Sequence, residues 1–430
     1  MSGKTIILSL SVAFGLLCTV CFGKYSGGTG EPNNPYLIAT PDDLNSIGLD
    51  PNDWDKHFKM IADINMVGIT GTKFNIIGSQ NYPFVGVFDG NGHSTSNFTY
   101  IAPQKADVGL FAYVYGPNAC IRNVVLNKTF VSGKEEVGSL VGYLKEGIVS
   151  LCSVNDGNVN GIDSVGGLIG FNSNYGNISN CFLEGSVVGT RYHAGGLAGV
   201  NRGHITNSSS TGTVNGYYGV GGLVGSNVIG HIISCYSWST VINGEIYVGG
   251  LVGLNDAGTI QTCWSSSHPC GTKEVGGLVG SNAGRIETSY ATGDVCGNQD
   301  IGGLLGKMWG GWILSCYSLG NVDATSKKGA LIGTHLGGTY FKCFWNIESN
   351  YGLSGIGNIN EPNVIGLPTA EMQQRSAFAD AGWDMVNIWD IGENQTYPFL
   401  RTYLPSDINK DNQTNFLDLA ILAEHWLEDK

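Results

Sequence analysis

From residue 109 onward the apolar positions fall into short strokes separated by glycine, asparagine and serine, with no helical stripe. One phrase keeps returning, Gly-Gly-Leu-hydrophobic-Gly. It reads GSLVG at Gly138, GGLIG at Gly166, GGLAG at Gly195 and GGLVG at Gly221, Gly249 and Gly276, then GGLLG at Gly302 and GALIG at Gly329. Its central leucines, Leu140, Leu168, Leu197, Leu223, Leu251, Leu278, Leu304 and Leu331, stand 28, 29, 26, 28, 27, 26 and 27 residues apart. Aligned on them, an aliphatic column follows at Val149, Ile178, Ile205, Ile232, Ile260, Ile286 and Ile313. A second lies at Val187, Val214, Val241, Val295 and Val322. Three short strokes per repeat cannot bury an apolar side alone. Stacked in register at ~4.8 Å per rung, each strand pairs with the coils above and below. The pattern predicts an all-β fold, a right-handed parallel β-helix (β-solenoid) with coils of about 27 residues. A propeller is the alternative, but its blades need about 40–50 residues each. Turns between strokes require φ > 0, which glycine adopts at little steric cost, so the glycines read as turn positions. Asn160, Asn215 and Asn243, each beside a glycine, read the same way.

The flanks depart from the repeat. Residues 24–106 read as an N-terminal cap and atypical first coils. In Thr40-Pro41-Asp42-Asp43, Thr40 is placed as N-cap and Pro41 at the first helical position, with Leu44 and Ile47 on the apolar side. His57–Met66 alternates like a strand. Residues 107–358 hold the regular coils, and 359–404 a C-terminal cap. There Thr369 is placed to cap a helix through about Ala379, and the aromatic stretch Trp383–Tyr403 to close the solenoid's end. Residues 1–23, with Lys4 ahead of an apolar run, read as a signal peptide, an uncleaved anchor helix being the other reading. No later run is apolar enough to span a membrane.

Composition narrows the class. Glycine supplies 66 of 430 residues, about twice ordinary usage, and charged residues only 13%. The net charge of −13 is thinly spread, without the Lys/Arg stripe of a nucleic-acid binder.

The chain ends DINKDNQTNFLDLAILAEHWLEDK. Counted from Asp407, oxygen-bearing side chains stand at Asp407, Asn409, Asp411, Gln413, Asn415 and Asp418, and an amphipathic helix follows with Phe416, Leu419, Ala423 and Trp426 on one side. That spacing suits Ca²⁺, a hard cation wanting about six to eight oxygens from a loop of about 12 residues. A solvated acidic helix start is the alternative.

The phrase GGLVGSNAGRIETSYATGDVCG (Gly276–Gly297) resembles the GLUG repeat of secreted and surface bacterial proteins, whose pattern runs GGLVG-x-N-x-G-x-I-x-x-S-Y-S-T-G-x-V. The resemblance spans about Gly109–Ile359. It implies an extracellular or cell-surface protein, in some relatives adhesin-like. Such repeats also stand beside one class of metallopeptidase, but this sequence has no His-Glu-x-x-His. The tail resembles one half of a type I dockerin, which implies calcium and a cohesin-like partner. Asn412 replaces the usual glycine, Thr414 the usual aliphatic residue, and only one of a dockerin's two segments is present. A calcium-stabilised helix at 405–430 for self-association or wall attachment is the expectation.

Leaving out Cys18 and Cys21, nine of the 11 cysteines remain. Cys152/Cys181, Cys235/Cys263, Cys270/Cys296 and Cys316/Cys343 fall on adjacent coils, with Cys120 left over. Either four rung-to-rung disulfides form after export, or Cys and Ser interchange in a reduced ladder. Beside this column run rings at Phe182, Tyr236, Trp264, Tyr290, Tyr317 and Phe344. Exposed, they would make a platform for sugar faces. Alternation from the isoleucines places them in the core, unless a turn intervenes.

No catalytic constellation stands out. The histidines lack metal-ligand spacing. His204 and His231 share a column and read as exposed strand residues. Acids and bases such as Asp156, Glu184 and Arg191 occur singly, and no repeat column is rich in acids. The sequence therefore predicts a non-enzymatic extracellular module for adhesion, matrix or carbohydrate contact, with a glycan or surface protein as partner. The alternative is a carbohydrate-active β-helix enzyme, a polysaccharide lyase or glycoside hydrolase, which would need a groove holding two acids.

Overall fold

The computed structural model describes residues 24–238 and 241–401, which form a parallel β-solenoid of about 11 turns. Two long parallel sheets run its length, and among the described residues the strands Trp389–Asp390 and Phe399–Leu400 make a separate antiparallel pair. The coil of Leu251 shows the plan. Val252–Asp256 and Thr259–Gln261 join the first sheet, Trp264–Ser265 and Pro269–Gly276 the second. The next coil repeats it in register, Val252 on Val279, Ile260 on Ile286 and Trp264 on Tyr290. The eight leucines and the isoleucine column are buried throughout. In the second column Val187, Val214, Val295 and Val322 are buried, but Val214 pairs with Ile242. The expectation of Val241 there is corrected by one residue.

The glycines do a different job from the one expected. Two corner columns hold positive φ, and both are mostly non-glycine. One comprises Glu136, Ser164, His193, Gly219, Tyr247, Glu274, Asp300 and Lys327; the other Leu151, Asn180, Asn207, Ser234, Thr262, Thr288 and Ser315. Each such non-glycine residue costs about 1 kcal/mol of backbone strain, which the stacked neighbours must offset. The glycines of the phrase instead permit close backbone approach. A Cβ at Gly249 would lie 1.9 Å from the Val252 carbonyl oxygen. Asn160, Asn215 and Asn243 lie inside strands, not turns, and Asn243 Nδ2 donates to Asn215 Oδ1 at 3.1 Å.

The asparagine of the phrase is wholly interior. Asn172, Asn201, Asn227, Asn255 and Asn282 are buried, and the Nδ2 of each of the first four donates to the next Oδ1 at 2.7–2.8 Å. Each amide also donates to a nearby glycine carbonyl, so the polar ladder satisfies itself as a chain, save for the Asn172 oxygen at its first rung, which has no partner. Met308 takes the corresponding place on the coil after Asn282.

Most cysteines follow the reduced-ladder reading. Cys235 Sγ donates to the carbonyls of Ile233 (3.2 Å) and Ile205 (3.6 Å), and Cys263 to those of Gln261 and Ile232. Ser208 and Ser289 do the same with their hydroxyls. Cys152, Cys181, Cys235, Cys263, Cys316 and Cys343 are free and buried, so of the two alternatives the reduced ladder holds at three of the four pairs. Each of their thiols donates to main-chain carbonyls. Cys270 and Cys296, directly opposed in an open strand with Cα atoms 4.6 Å apart, are bonded.

At the N-terminal end Thr40 caps the helix Pro41–Ile47, accepting from the Asp43 amide while Asp43 accepts from the Thr40 amide. Leu44 and Ile47 are buried over the first coils, where Phe58, Phe84, Phe88 and Phe111 replace aliphatic side chains. The expected strand His57–Met66 is interrupted, with strands at His57–Met60 and Ile64–Asn65. In the C-terminal cap, the single helix from Thr369 is corrected to two, Thr369–Met372 and Arg375–Asp380. Pro368, not Thr369, takes the N-cap position, because Thr369 Oγ1 accepts instead from Asn346 Nδ2 at 2.9 Å.

Candidate functional site

The aromatic column faces outward. The left-handed residue between each isoleucine and the Cys/Ser position (Asn180, Ser234, Thr262) reverses the alternation, so cysteine enters the core and the ring leaves it. The core expectation for Phe182–Phe344 is therefore corrected. Phe182 stacks on Trp238, Trp238 on Tyr236, Tyr236 on Trp264, Trp264 on Tyr290 and Tyr290 on Tyr317, with centroids 4.8–6.0 Å apart. Trp238 fills the rung where Ser209 brings no ring. Ring faces in this ladder cover one another, leaving edges to solvent, so it does not offer the faces on which sugars stack. Its C-terminal half lies beneath the cap. Tyr317 and Phe344 are buried with Met372, Phe378, Trp383 and Trp389 in a second core. The cap thus covers the solenoid's flank, where it was expected to close the end.

A repeat column does gather acids, contrary to the sequence reading. It is the corner four residues before the leucine, where Glu136, Glu274 and Asp300 stand, with Asp107 continuing it on the preceding coil. Glu274 and Asp300 are each 1% exposed. Glu274 accepts from Lys307 Nζ at 3.3 Å and Trp309 Nε1 at 3.4 Å, and Asp300 accepts from Thr334 Oγ1 at 2.6 Å with Lys327 Nζ 3.9 Å away. These acids lock adjacent coils together. Among the described residues no cation forms an ion pair with Glu136, and Lys134 only partly offsets its environment. Burial and the Asp107, Glu135 and Asp163 charges push it up to about 7. Two coils from Glu136 in the same column, burial lowers His193 to about 4.

The named single residues do not converge. Arg191 Nε donates to Asp163 Oδ1 at 2.8 Å, Asp156 and Glu184 are exposed, and no bond joins any two of the three. His204 and His231 are exposed strand residues, as expected, with rings stacked at 4.9 Å. Burial and the His231 charge lower the pKa of His204. Asp407, Asn409, Asp411, Gln413, Asn415 and Asp418, the expected calcium ligands, lie outside the described residues, as do residues 1–23.

One concavity stands where the repeat is irregular. Ile178 follows Leu168 by 10 residues, while Ile205 follows Leu197 by 8, so the corner between them steps down by two residues. On the long side, Glu146 pairs in register with Tyr115 on one neighbouring coil and Tyr175 on the other. Beneath the step lies a cavity of about 340 Å³ lined by Pro117, Glu146, Asn174, Tyr175, Asn177 and His204. Tyr175 is 68% exposed. Among the described residues, the Glu146, Asn174, Asn177 and His204 side chains have no protein hydrogen-bond partner. Sequence reading missed this site because it followed the columns. The unequal Leu-to-Ile spacing was the available signal.

The family model described as "The GLUG motif" matches residues 163–188, 190–215 and 271–295. Over 181 residues the chain is 30% identical to "Halomucin" of Haloquadratum walsbyi, covering 40% of this chain and 2% of that protein. Over 139 residues it is 32% identical to a "Putative Gly-rich membrane protein" of Evansella cellulosilytica, covering 31% of this chain and 16% of that one. The chain thus spans a small fraction of these relatives' length. Among solved structures it is similar to a "putative immunoglobulin A1 protease" from Bacteroides ovatus, at 19% identity and a TM-score of 0.42, over 88% of this chain and 96% of that one. A structure described as "IgA1 Protease" aligns at 13% identity and a TM-score of 0.33, over 83% of this chain and 25% of that one. Among the described residues no helix is long and apolar enough to cross a membrane.

Proposed function

We propose that this chain is an exported, non-enzymatic surface repeat protein whose solenoid contacts carbohydrate, held in place by a calcium-binding tail at 405–430. The GLUG matches support the surface-repeat part, as does the similarity to a Gly-rich membrane protein. The observation that carries binding over turnover is the content of the step cavity. It holds one carboxylate, Glu146, beside amides and an imidazole. Hydrolysis of a glycosidic bond ordinarily takes two carboxyl groups across the bond. The buried acids Glu274 and Asp300 are committed to neighbouring coils.

The test is a glycan array with the chain from residue 24 onward, read for both binding and released products. Binding without release supports the proposal. Release of oligosaccharides would replace it with the lyase or hydrolase reading. A blank array on both counts would leave a purely structural role. Calorimetric titration with Ca²⁺, compared with a chain ending at residue 404, tests the tail: equal heats from the two would remove calcium from the proposal.

A further inference from the structure

The cavity at the step differs from the rest of the surface in two ways. It breaks the repeat, and its polar groups are uncommitted. In a solenoid each coil copies its neighbour, so side chains that serve stability recur in columns, as the leucine, asparagine and cysteine positions do. Tyr115, Glu146 and Tyr175 share one register position on three successive coils, and among the described residues Tyr175 has no strand partner on the next coil. Departures from local consistency without an evident stabilising partner are where function is to be sought.

The chemistry of the lining is mixed in a particular way. Tyr175 presents a large exposed ring, and no other ring packs on it among the described residues, unlike every member of the ladder. Pro117 and the 40%-exposed Ile148 add apolar surface. Glu146 offers acceptors only, Asn174 and Asn177 offer both donors and acceptors, and the neutral His204 ring offers one of each. A cation would be served by the carboxylate and rings but opposed by the amide donors. A phosphate would be opposed by Glu146. A pyranose ring fits all of them. Its axial C–H face packs on an aromatic ring, and each hydroxyl both donates and accepts. Size agrees, since cavities that hold small ligands begin at about 300 Å³.

We infer that the cavity under Tyr175 is a sugar-binding subsite for a neutral pyranose. Tyr175 supplies the stacking face, Glu146 accepts hydrogen bonds from adjacent hydroxyls, and Asn174, Asn177 and His204 complete the polar rim. This assignment rests on the carbohydrate-contact reading and adds its location and ligand class. Burial and the neighbouring His231 lower the pKa of His204 and so favour the neutral ring, the form that can accept as well as donate.

The experiment measures affinity by calorimetry for a neutral oligosaccharide that the wild-type chain binds on the array, using Tyr175→Ala, Glu146→Gln and the control Tyr217→Ala. Tyr217 is 53% exposed and lies outside the cavity. Circular dichroism and thermal midpoints confirm that each variant is folded; all three changes are at the surface. The expected result is affinity reduced about tenfold or more in Tyr175→Ala, reduced about fivefold or more in Glu146→Gln and unchanged in Tyr217→Ala. Wild-type binding that survives both cavity variants overturns the subsite while leaving carbohydrate contact standing. No binding of neutral sugars by wild type, with binding of a cationic or anionic glycan, overturns the ligand class. No binding of any glycan overturns the subsite and the carbohydrate reading together.

Discussion

Asn227 donates its side-chain amide to Asn255 Oδ1 at 2.8 Å across one coil, and to the Gly230 carbonyl at 3.0 Å within its own. It also accepts from Asn201 at 2.8 Å. One residue therefore serves three buried partners. Asn227→Ala leaves the Asn255 oxygen and one Asn201 hydrogen unpaired in a site with 0% exposure, while the Gly230 carbonyl keeps the Thr259 amide. Each unpaired buried group costs about 1–3 kcal/mol, so we expect a loss of about 3–5 kcal/mol. Chemical denaturation measures it, and hydrogen exchange should show the opening centred between Leu197 and Leu251. A loss under about 1 kcal/mol would mean that the ladder is not cooperative.

The cysteines divide by environment. Mass mapping of the protein without reductant is expected to find one bond, Cys270–Cys296, and reduced Cys152, Cys181, Cys235, Cys263, Cys316 and Cys343. The bond closes a loop with a sequence separation of 26, so its removal by Cys270→Ser with Cys296→Ser should cost about 3 kcal/mol. Cys235→Ser should cost less than about 1.5 kcal/mol, because Ser208 and Ser289 already make the same carbonyl bond in that column. A large loss there would mean that sulfur packing matters more than the hydrogen bond.

Glu136 sets a pH dependence. Its value is raised from 4.5 to about 7, by burial first and then by Asp107, Glu135 and Asp163, with Lys134 opposing. The folded protein thus holds the proton longer than the unfolded chain does. Stability is full below about pH 4.5 and falls as pH rises towards 7, because the unfolded chain ionises first. Allowing for the partial exposure of Glu136, the loss is about 1–2 kcal/mol. Glu136→Gln should flatten the stability profile between pH 5 and 8 and raise the thermal midpoint at pH 8. An unchanged slope would place the titration elsewhere in the column.

The periodicity of Leu140 to Leu331 was enough to read the solenoid, because burial repeats with each coil and leaves a column. Thr40, Pro41 and Asp43 were legible for a similar reason, their capping chemistry being local. What escaped was set by φ. Asn180 and its column turn the chain left-handed, and no residue type there announces it, since Leu151, Ser234 and Thr262 do the same. That single dihedral moved Phe182, Tyr236 and Trp264 from core to surface. The acids Glu136, Glu274 and Asp300 share a column diluted by Ser164, His193, Gly219 and Tyr247, so composition hid them. The step cavity escaped for the opposite reason. Glu146 and Tyr175 share a register position only with Tyr115, and only the register across unequal corners brings them together.

The cap offers the sharpest test of how stability is distributed. Trp389 is 1% exposed and packs on Tyr290, Tyr317 and Trp383 with centroids 4.7–5.9 Å apart. Tyr317 also donates its hydroxyl to the Pro398 carbonyl, tying the cap to the ladder. These contacts lie on the solenoid's flank, in a core separate from that of the coils. In a stack of coils each coil answers mainly to its neighbours. Trp389→Ala should therefore cost about 3–5 kcal/mol within the cap alone. Limited proteolysis should then cut between residues 369 and 401, while the amides of Ile260 and Ile286 keep their protection. The exposed Tyr290 and Tyr317 hydroxyls, raised above the ordinary tyrosine value by burial, should titrate closer to it. If the whole chain instead melted earlier in a single transition, with no selective cleavage, the cap would be part of the solenoid's cooperative unit, and the two cores would have to be treated as one.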